Sequence, residues 1–357
     1  MKKVILAFSG GLDTSFCIPY LNEKGYDVVT VTVNTGGFTT NQLKEIAQKA
    51  KQLGALKHLE KVALEEKAEA VAHGSTGAGN DQVRFDLAFQ ALLPKVEIIA
   101  PIREEGLSRV EEVAFLEKKG FKVDATQKDY SINVGLLGTT IGGKETLSTA
   151  QCLPEGAFPN IPSPHSVNGK PIFISLGFEK GLPITFQGEK MHGVEIINQL
   201  NAAAASSGFG KDDHIGTTIL GTKGRVGFEA PAMKILIKAH TELEKITLTS
   251  KQLFWKNTLG NLYGDLIHEG LYFEPLVKNF ESFLNSANAF VEGEVALKLQ
   301  QGLLFIESIK SPYSLMNNRL GKYGEKTGAW TGAEAKGFCK LYGLESANAF
   351  LTQQSHD

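Results

Sequence analysis

The stretch Val4-Ile5-Leu6-Ala7-Phe8-Ser9-Gly10-Gly11-Leu12-Asp13-Thr14-Ser15 decides the fold. Residues 4–8 form a short apolar run that stops at a Gly pair, as a strand buried on both faces does. A helix is expected over residues 14–24, with Pro19 early in it. The two glycines let the backbone turn sharply and approach an anion closely. Successive N–H groups then form an anion nest, and the helix N-terminus adds partial positive charge. Ser9, Thr14 and Ser15 carry hydroxyls that can reach phosphate oxygens. Asp13 would repel a bare phosphate, so it belongs next to Mg²⁺ or serves as a cap that holds the loop. No Gly-Lys-Ser/Thr follows, which excludes a Walker A loop, and GxGxxG is absent, which excludes the dinucleotide fingerprint.

Outward from this loop the pattern is βα repeated. Residues 28–33 alternate β-branched side chains and read as a second strand. Leu43, Ile46, Ala47, Ala50 and Leu53 make a helical stripe over residues 41–53. Residues 69–73 read as a strand, 81–93 as a helix ending before Pro94, and 97–100 as a further strand. Ser108 and Glu111 form a capping box for a helix closed by Gly120. Such alternation implies a parallel sheet with right-handed crossovers. From residue 151 the texture changes: Pro154, Pro159, Pro162 and Pro164 crowd into a linker or long loop. Hairpin material follows at 172–188, a helix at 193–206 and a mostly helical region at 231–288. Residues 291–299 alternate as a strand, Gly302 turns the chain, and 303–308 is its partner. Residues 333–341 read as a short amphipathic helix. The expected fold is an α/β parallel-sheet domain over residues 1–150 and an α+β domain over 151–357.

The bulk properties agree. A chain of 357 residues suggests two domains. A formal charge of −2 with scattered basic residues gives no footprint for nucleic acid or an anionic membrane. Cys17, Cys152 and Cys339 form no CxxC pair, and the histidines have no ligand spacing, so neither a disulfide framework nor a protein metal site is expected. The opening MKKVILAFSGG is too short for a signal-peptide core, and no stretch has the length of a membrane span. The cytoplasm is the default location.

The most informative stretch is His73-Gly74-Ser75-Thr76-Gly77-Ala78-Gly79-Asn80-Asp81-Gln82-Val83-Arg84-Phe85. Its glycines bring backbone close to a ligand. Asn80, Asp81 and Arg84 share one face of a helix's first turn. Arg can clamp a carboxylate, Asp can hold an ammonium, and Thr and Asn can hold a carboxylate, which together suit a zwitterionic amino acid. His73 reads as a locally hydrogen-bonded residue and Cys17 as core.

The first loop resembles the pyrophosphate loop of the N-type ATP pyrophosphatases, and the two loops together resemble argininosuccinate synthase. That likeness continues at Tyr130-Ser131, 223–231, 311–315 and 337–344. It implies an adenine nucleotide α-hydrolase-like first domain, a second synthetase and oligomerisation domain, and a homotetramer joined through the C-terminal helix. It implies ATP contacts from Ala7, Phe8, Ser9, Gly10, Gly11, Leu12, Asp13, Thr14, Ser15, Val33 and Gly74. It places aspartate on Thr76, Asn80 and Asp81, and citrulline on Asn80, Arg84, Ser131 and Thr140, the last usually Ser. The implied reaction uses MgATP and no protein nucleophile; Asp13 and Arg84 matter most, through positioning and charge.

Two departures bear on function. Between Leu53 and His73 the family holds another strand, a helix and a segment whose Tyr, Ser and Arg touch substrates. Residues 54–72 are too few for it, so a missing sheet strand and incomplete substrate sites are expected. Gly216 and Phe228 replace a Glu and a Tyr that hold the citrulline head group. This suggests an acceptor with a blocked α-amine, unless the change is drift after loss of function or Asp212 or Asp213 substitutes. The rival readings are another N-type pyrophosphatase ligase and a non-catalytic ATP-binding remnant.

Overall fold

The computed structural model describes residues 2–59, 68–123, 130–316, 324–325 and 328–354. The opening apolar run becomes β1 (Lys2–Ala7), central in a sheet completed by β2 (Tyr26–Val31), β3 (Lys57–Leu59), β4 (Ala70–Ala72) and β5 (Glu97–Ile99). Their order is β3-β2-β1-β4-β5, and every neighbouring pair is parallel. The intervening helices are α1 (Leu12–Glu23), α2 (Thr40–Gln52), α3 (Asp81–Leu92), α4 (Pro101–Glu105) and α5 (Arg109–Lys118). Val4 and Leu6 of β1 pack with Phe16, Cys17, Ile18 and Leu21 of α1 in one core, which Leu116 of α5 joins. Burial pushes the Cys17 thiol pKa up, as befits a core residue.

The expectation of a missing sheet strand is corrected. β3 lies within the short segment and pairs with β2 from Val29↔Lys57 to Val31↔Leu59. Three residues suffice for an edge strand. What is short is the return to β4, which must cross from β3 past two strands. A parallel crossover usually takes a dozen or more residues, and here only residues 60–69 are available. Of these, 60–67 lie outside the described residues.

The remaining strands form two antiparallel sheets. In chain order the elements are β6 (Tyr130–Gly135), β7 (Gly138–Gly143), β8 (Ile172–Glu179), β9 (Leu182–Phe186), β10 (Glu189–Lys190), α6 (Gly193–Ser207), β11 (Lys211–Thr217) and β12 (Lys223–Glu229). Then come α7 (Pro231–Thr247), α8 (Ser250–His268), α9 (Pro275–Ala287), β13 (Gly293–Gln300), β14 (Leu303–Lys310), α10 (Gly332–Tyr342) and α11 (Leu344–Gln354). The sheet β10-β9-β8-β13-β14 buries Ile174, Leu176, Val295, Leu297 and Leu299 against Ile196 and Leu200 of α6 and Ile235 and Leu243 of α7. The period-two alternation in β8 and β13 puts these side chains on one face.

The other sheet, β11-β12-β7-β6, joins segments far apart in sequence. The hairpin β6–β7, ahead of the boundary expected near residue 150, pairs with β12 from Ile141↔Gly227 to Thr139↔Glu229. One face covers Ile141, Leu153 and Ala157. Buried Glu229 accepts N–H bonds from Asn160 and Ile161, at 2.9 and 2.7 Å, and so fixes the proline-rich loop.

Candidate functional site

In the parallel sheet, β1 leads to β2 on one side and β4 leads to β5 on the other. The crevice beyond the ends of β1 and β4 is therefore the topological switch point, where such sheets take ligands. Both loops singled out by the sequence arrive there. α1 starts after Gly11 and α3 after Asn80, and neither helix has a side-chain cap. α2, α5 and α8, by contrast, are closed by capping boxes. Two helix N-termini with open N–H groups are suited to anions.

Gly10 adopts a φ of 80°, the left-handed region that favours glycine. A Cβ at Gly74 would lie 3.0 Å from the Thr14 amide nitrogen and 3.1 Å from the Asp13 carbonyl carbon, so the second loop seats directly on the first. Ser9 Oγ accepts the Gly11 N–H at 3.3 Å and lies 3.3 Å from Thr14 Oγ1. Ser15 differs from expectation. Its side chain is buried, and its hydroxyl donates to the Gly11 carbonyl at 2.6 Å rather than outward. Asp13 is not the cap of α1, a place taken by Gly11. Ala7 ends β1, and Phe8 continues the pairing by donating its N–H to the Val31 carbonyl at 2.8 Å. Leu12 is half-buried at the start of α1, and Val33, two residues beyond β2, is exposed.

Two residues near this loop escaped the sequence reading. Lys49 Nζ donates to the Gly10 carbonyl at 2.6 Å and brings a cation to the anion nest. The α2 stripe gave only its apolar positions, yet Ile46, one turn before Lys49, lies against Gly10. Glu112, on α5, is 1% exposed. Burial first, then the neighbouring Asp13 charge, raises its pKa to about 8. Its Oε2 has no hydrogen-bond partner among the described residues.

In the second loop, His73 is fully buried. Its Nδ1 accepts the Ser75 N–H at 3.2 Å and its Nε2 lies 3.0 Å from Asp86, which Arg103 also engages at 2.7 Å. Desolvation lowers its pKa, so the local structural reading fits. Thr76 is exposed. Asn80 Oδ1 accepts the Ile219 N–H at 2.9 Å from the β11–β12 turn. Asp81 lies 3.0 Å from Arg84 Nη1. The Arg84 guanidinium also donates through Nε to the His268 carbonyl at 2.8 Å, and its Nη2 lies 3.2 Å from His268 Nδ1. The expected clamp thus ties α3 to the end of α8.

Ser131 and Thr140 lie on the four-stranded sheet. The register Ser131↔Gly142, Asn133↔Thr140 and Thr140↔Phe228 puts both on the face opposite the apolar cluster. Cross-strand partners share a face, so Asp212, His214 and Gly216 of β11 and Phe228 of β12 lie there as well. The two hairpins of this sheet reach the first domain. Leu136 donates to the Thr35 carbonyl at 2.9 Å, beyond β2, and Ile219 reaches Asn80 at the start of α3. The sheet thereby bridges the two loops that follow β2 and β4.

Comparison with known proteins agrees with this arrangement. A model of the arginosuccinate synthase N-terminal HUP domain matches residues 3–60 and 55–122, in two pieces that meet at the short crossover. A model of the arginosuccinate synthase C-terminal domain matches residues 130–349. The argininosuccinate synthase of Hyperthermus butylicus is 35% identical over 392 aligned positions, covering 97% of this chain and 98% of its own. That of Xanthomonas campestris is 35% identical, covering 97% of each chain. That of Pyrococcus furiosus is 35% identical, covering 98% of this chain and 94% of its own. Among solved structures, a predicted subunit of tRNA methyltransferase from Methanocaldococcus jannaschii overlaps 33% of this chain and 76% of its own at 17% identity, and its TM-score of 0.26 is too low to bear on the fold. Matched by family models over both domains, and by relatives nearly end to end, the chain belongs to the argininosuccinate synthase family, the ATP-dependent ligases of arginine biosynthesis.

Proposed function

We propose that the chain condenses a citrulline with aspartate, consuming MgATP and releasing AMP and pyrophosphate. The ureido oxygen of the acceptor attacks the α-phosphorus of ATP, and pyrophosphate leaves. The aspartate amino group then attacks the adenylated carbon and expels AMP. The nucleotide phosphates lie along residues 9–15 and Gly74, with Val33 near the base. Mg²⁺ arrives with ATP as part of the substrate. Aspartate lies on Thr76, Asn80 and Asp81, and the acceptor on Asn80, Arg84, Ser131 and Thr140.

The seating of Gly74 on Thr14 between two uncapped helix N-termini is the observation that carries this reading. Those N–H groups need no reorganisation to meet the charge that develops on the leaving pyrophosphate. The protein's task is to position three substrates, which needs no nucleophile.

The acceptor is proposed to carry a blocked α-amine. Gly216 supplies no carboxylate, and the two aspartates that could replace one are already paired. Asp213 meets the Arg225 guanidinium, and Asp212 lies 2.8 Å from Lys234 Nζ. One observation favours a second reading, an ATP-binding chain without ligase chemistry: Arg84 already engages Asp81 and His268 through Nε, Nη1 and Nη2.

The test is pyrophosphate release from MgATP with aspartate and citrulline, or with aspartate and N-acetylcitrulline. Release that requires both amino acids is expected, and faster with the acetylated acceptor. Nucleotide binding without release in either mixture would establish the second reading. A preference for free citrulline would remove the blocked amine and leave the synthetase.

A further inference from the structure

Consider the open face of the four-stranded sheet on its own. β6 and β7 contribute no acidic residue, and β12 turns its Glu229 to the opposite, buried face. Asp212 is therefore the one carboxylate these four strands place here. It does not stand free. Lys234, from the first turns of α7, reaches over and bonds to it at 2.8 Å. That bond comes first among the causes that hold the Asp212 carboxyl below its usual range.

The same ammonium sits 5.5 Å from the centre of the Phe228 ring, within cation–π range. Phe228 is in register with Thr140, an acceptor-contacting position of the proposed reading. Asp212 takes one of the three N–H donors of Lys234, and the lysine side chain is 34% exposed. Donors therefore remain to meet a ligand acceptor beside an aromatic surface.

Room is present on the same face. Gly142 and Gly224 share it and project nothing from it. The space over Gly216 is taken by His214, whose Nε2 lies 2.6 Å from where a Cβ would stand. A free α-ammonium brought here would find a lysine cation and no unpaired carboxylate from these strands. A short neutral acyl group would cover the ring and leave the lysine to water. An acyl chain ending in a carboxylate would use both.

We infer that Lys234 and Phe228 form a subsite for a dicarboxylic acyl group on the α-nitrogen of the acceptor, with Phe228 under its methylenes and Lys234 on its terminal carboxylate. Asp212 acts as a positioning residue that holds the ammonium over the ring. The inference rests on the synthetase reading with a blocked acceptor.

The test compares kcat/KM for N-succinylcitrulline and N-acetylcitrulline, with free citrulline alongside, in the wild type, Lys234→Met and Lys234→Arg. The wild type is expected to favour the succinyl compound by about tenfold or more, the scale of one hydrogen bond to a charged group. The preference should collapse toward one in Lys234→Met, through KM for the succinyl compound, and return largely in Lys234→Arg. Because the ratio is internal to each preparation, partly unfolded protein cancels from it. Equal use of the two acyl compounds by the wild type, or an unaltered ratio in Lys234→Met, overturns the subsite while the blocked-acceptor reading stands. A preference for free citrulline overturns both and spares the synthetase. Turnover of none of the three overturns the synthetase reading itself.

Discussion

A methyl group at Gly74 would press on Thr14 Cγ2 and on the backbone of Thr14 and Asp13, and turning a side chain does not relieve the backbone contacts. The loop that must move is the one whose N–H groups meet phosphate. Overpacking of this kind costs about 1–3 kcal/mol, and here the cost should fall on nucleotide affinity. Gly74→Ala is expected to weaken ATP binding by about tenfold or more in calorimetric titration, with the apo melting temperature nearly kept. Unaltered affinity would mean that the loops do not act as one anion site. Glu112 makes a prediction of a different kind. Its carboxyl is raised from the ordinary 4.5 to about 8 by burial and by Asp13. The folded state therefore favours the neutral acid. That advantage is complete below 4.5, declines as pH rises, and is gone above about 8. Glu112→Gln keeps the shape without the charge. Its denaturant midpoint should gain on the wild type steadily across that window and then run parallel above it. A gap independent of pH would show that Glu112 is not held neutral.

At the scale of elements, what the sequence revealed was local. β1, its glycine turn and α1 follow from a contiguous run of residues. The Ser108–Glu111 capping box appears as read, because its partners lie within one helical turn. The sheet β11-β12-β7-β6 was hidden. β11 reads Lys-Asp-Asp-His-Ile-Gly-Thr and β7 reads Gly-Thr-Thr-Ile-Gly-Gly, with few apolar residues to betray a strand. Such strands are made by partners rather than by propensity, and β7 finds β12 only across some eighty residues of chain. The short segment misled for the converse reason. Counting residues against a full βα unit implied a lost strand, although an edge strand needs very few, and the shortfall in length falls between β3 and β4. Site residues divide the same way. Gly10, Gly74 and Asn80 came from motif strings. Lys49 and Lys234 were invisible because a long cation on a helix surface chooses its partner through tertiary packing, and nothing in its spacing names Gly10 or Asp212.

At the scale of the whole molecule, the C-terminal helices pose a burial problem that the described residues of one chain do not solve. Phe338, Leu341 and Tyr342 of α10 and Phe350 and Leu351 of α11 are all more than half exposed, Tyr342 at 79%. Phe338 and Tyr342 stack on each other with ring centres 5.2 Å apart, which lines the aromatic surface along one side of α10. Phe254 and Trp255 of α8 are likewise more than half exposed. Apolar surface gathered on paired helices at the end of a chain marks an interface. Its hydrophobic worth is realised only when water is excluded, at about 25 cal/mol for each Å² covered. The homotetramer that the family resemblance implies would supply that cover through neighbouring copies. Light scattering behind size exclusion should give a tetrameric mass for the full chain. It should give a smaller species for a chain ending before Thr331, and for the double variant Phe338→Asp, Leu341→Asp. The melting temperature of the full chain should rise with protein concentration, because association stabilises only the folded state. That dependence should flatten in both altered forms. A tetramer that survives the truncation would place the interface elsewhere, with α8 the next surface to alter. A monomeric full chain would leave these side chains without a partner of their own kind.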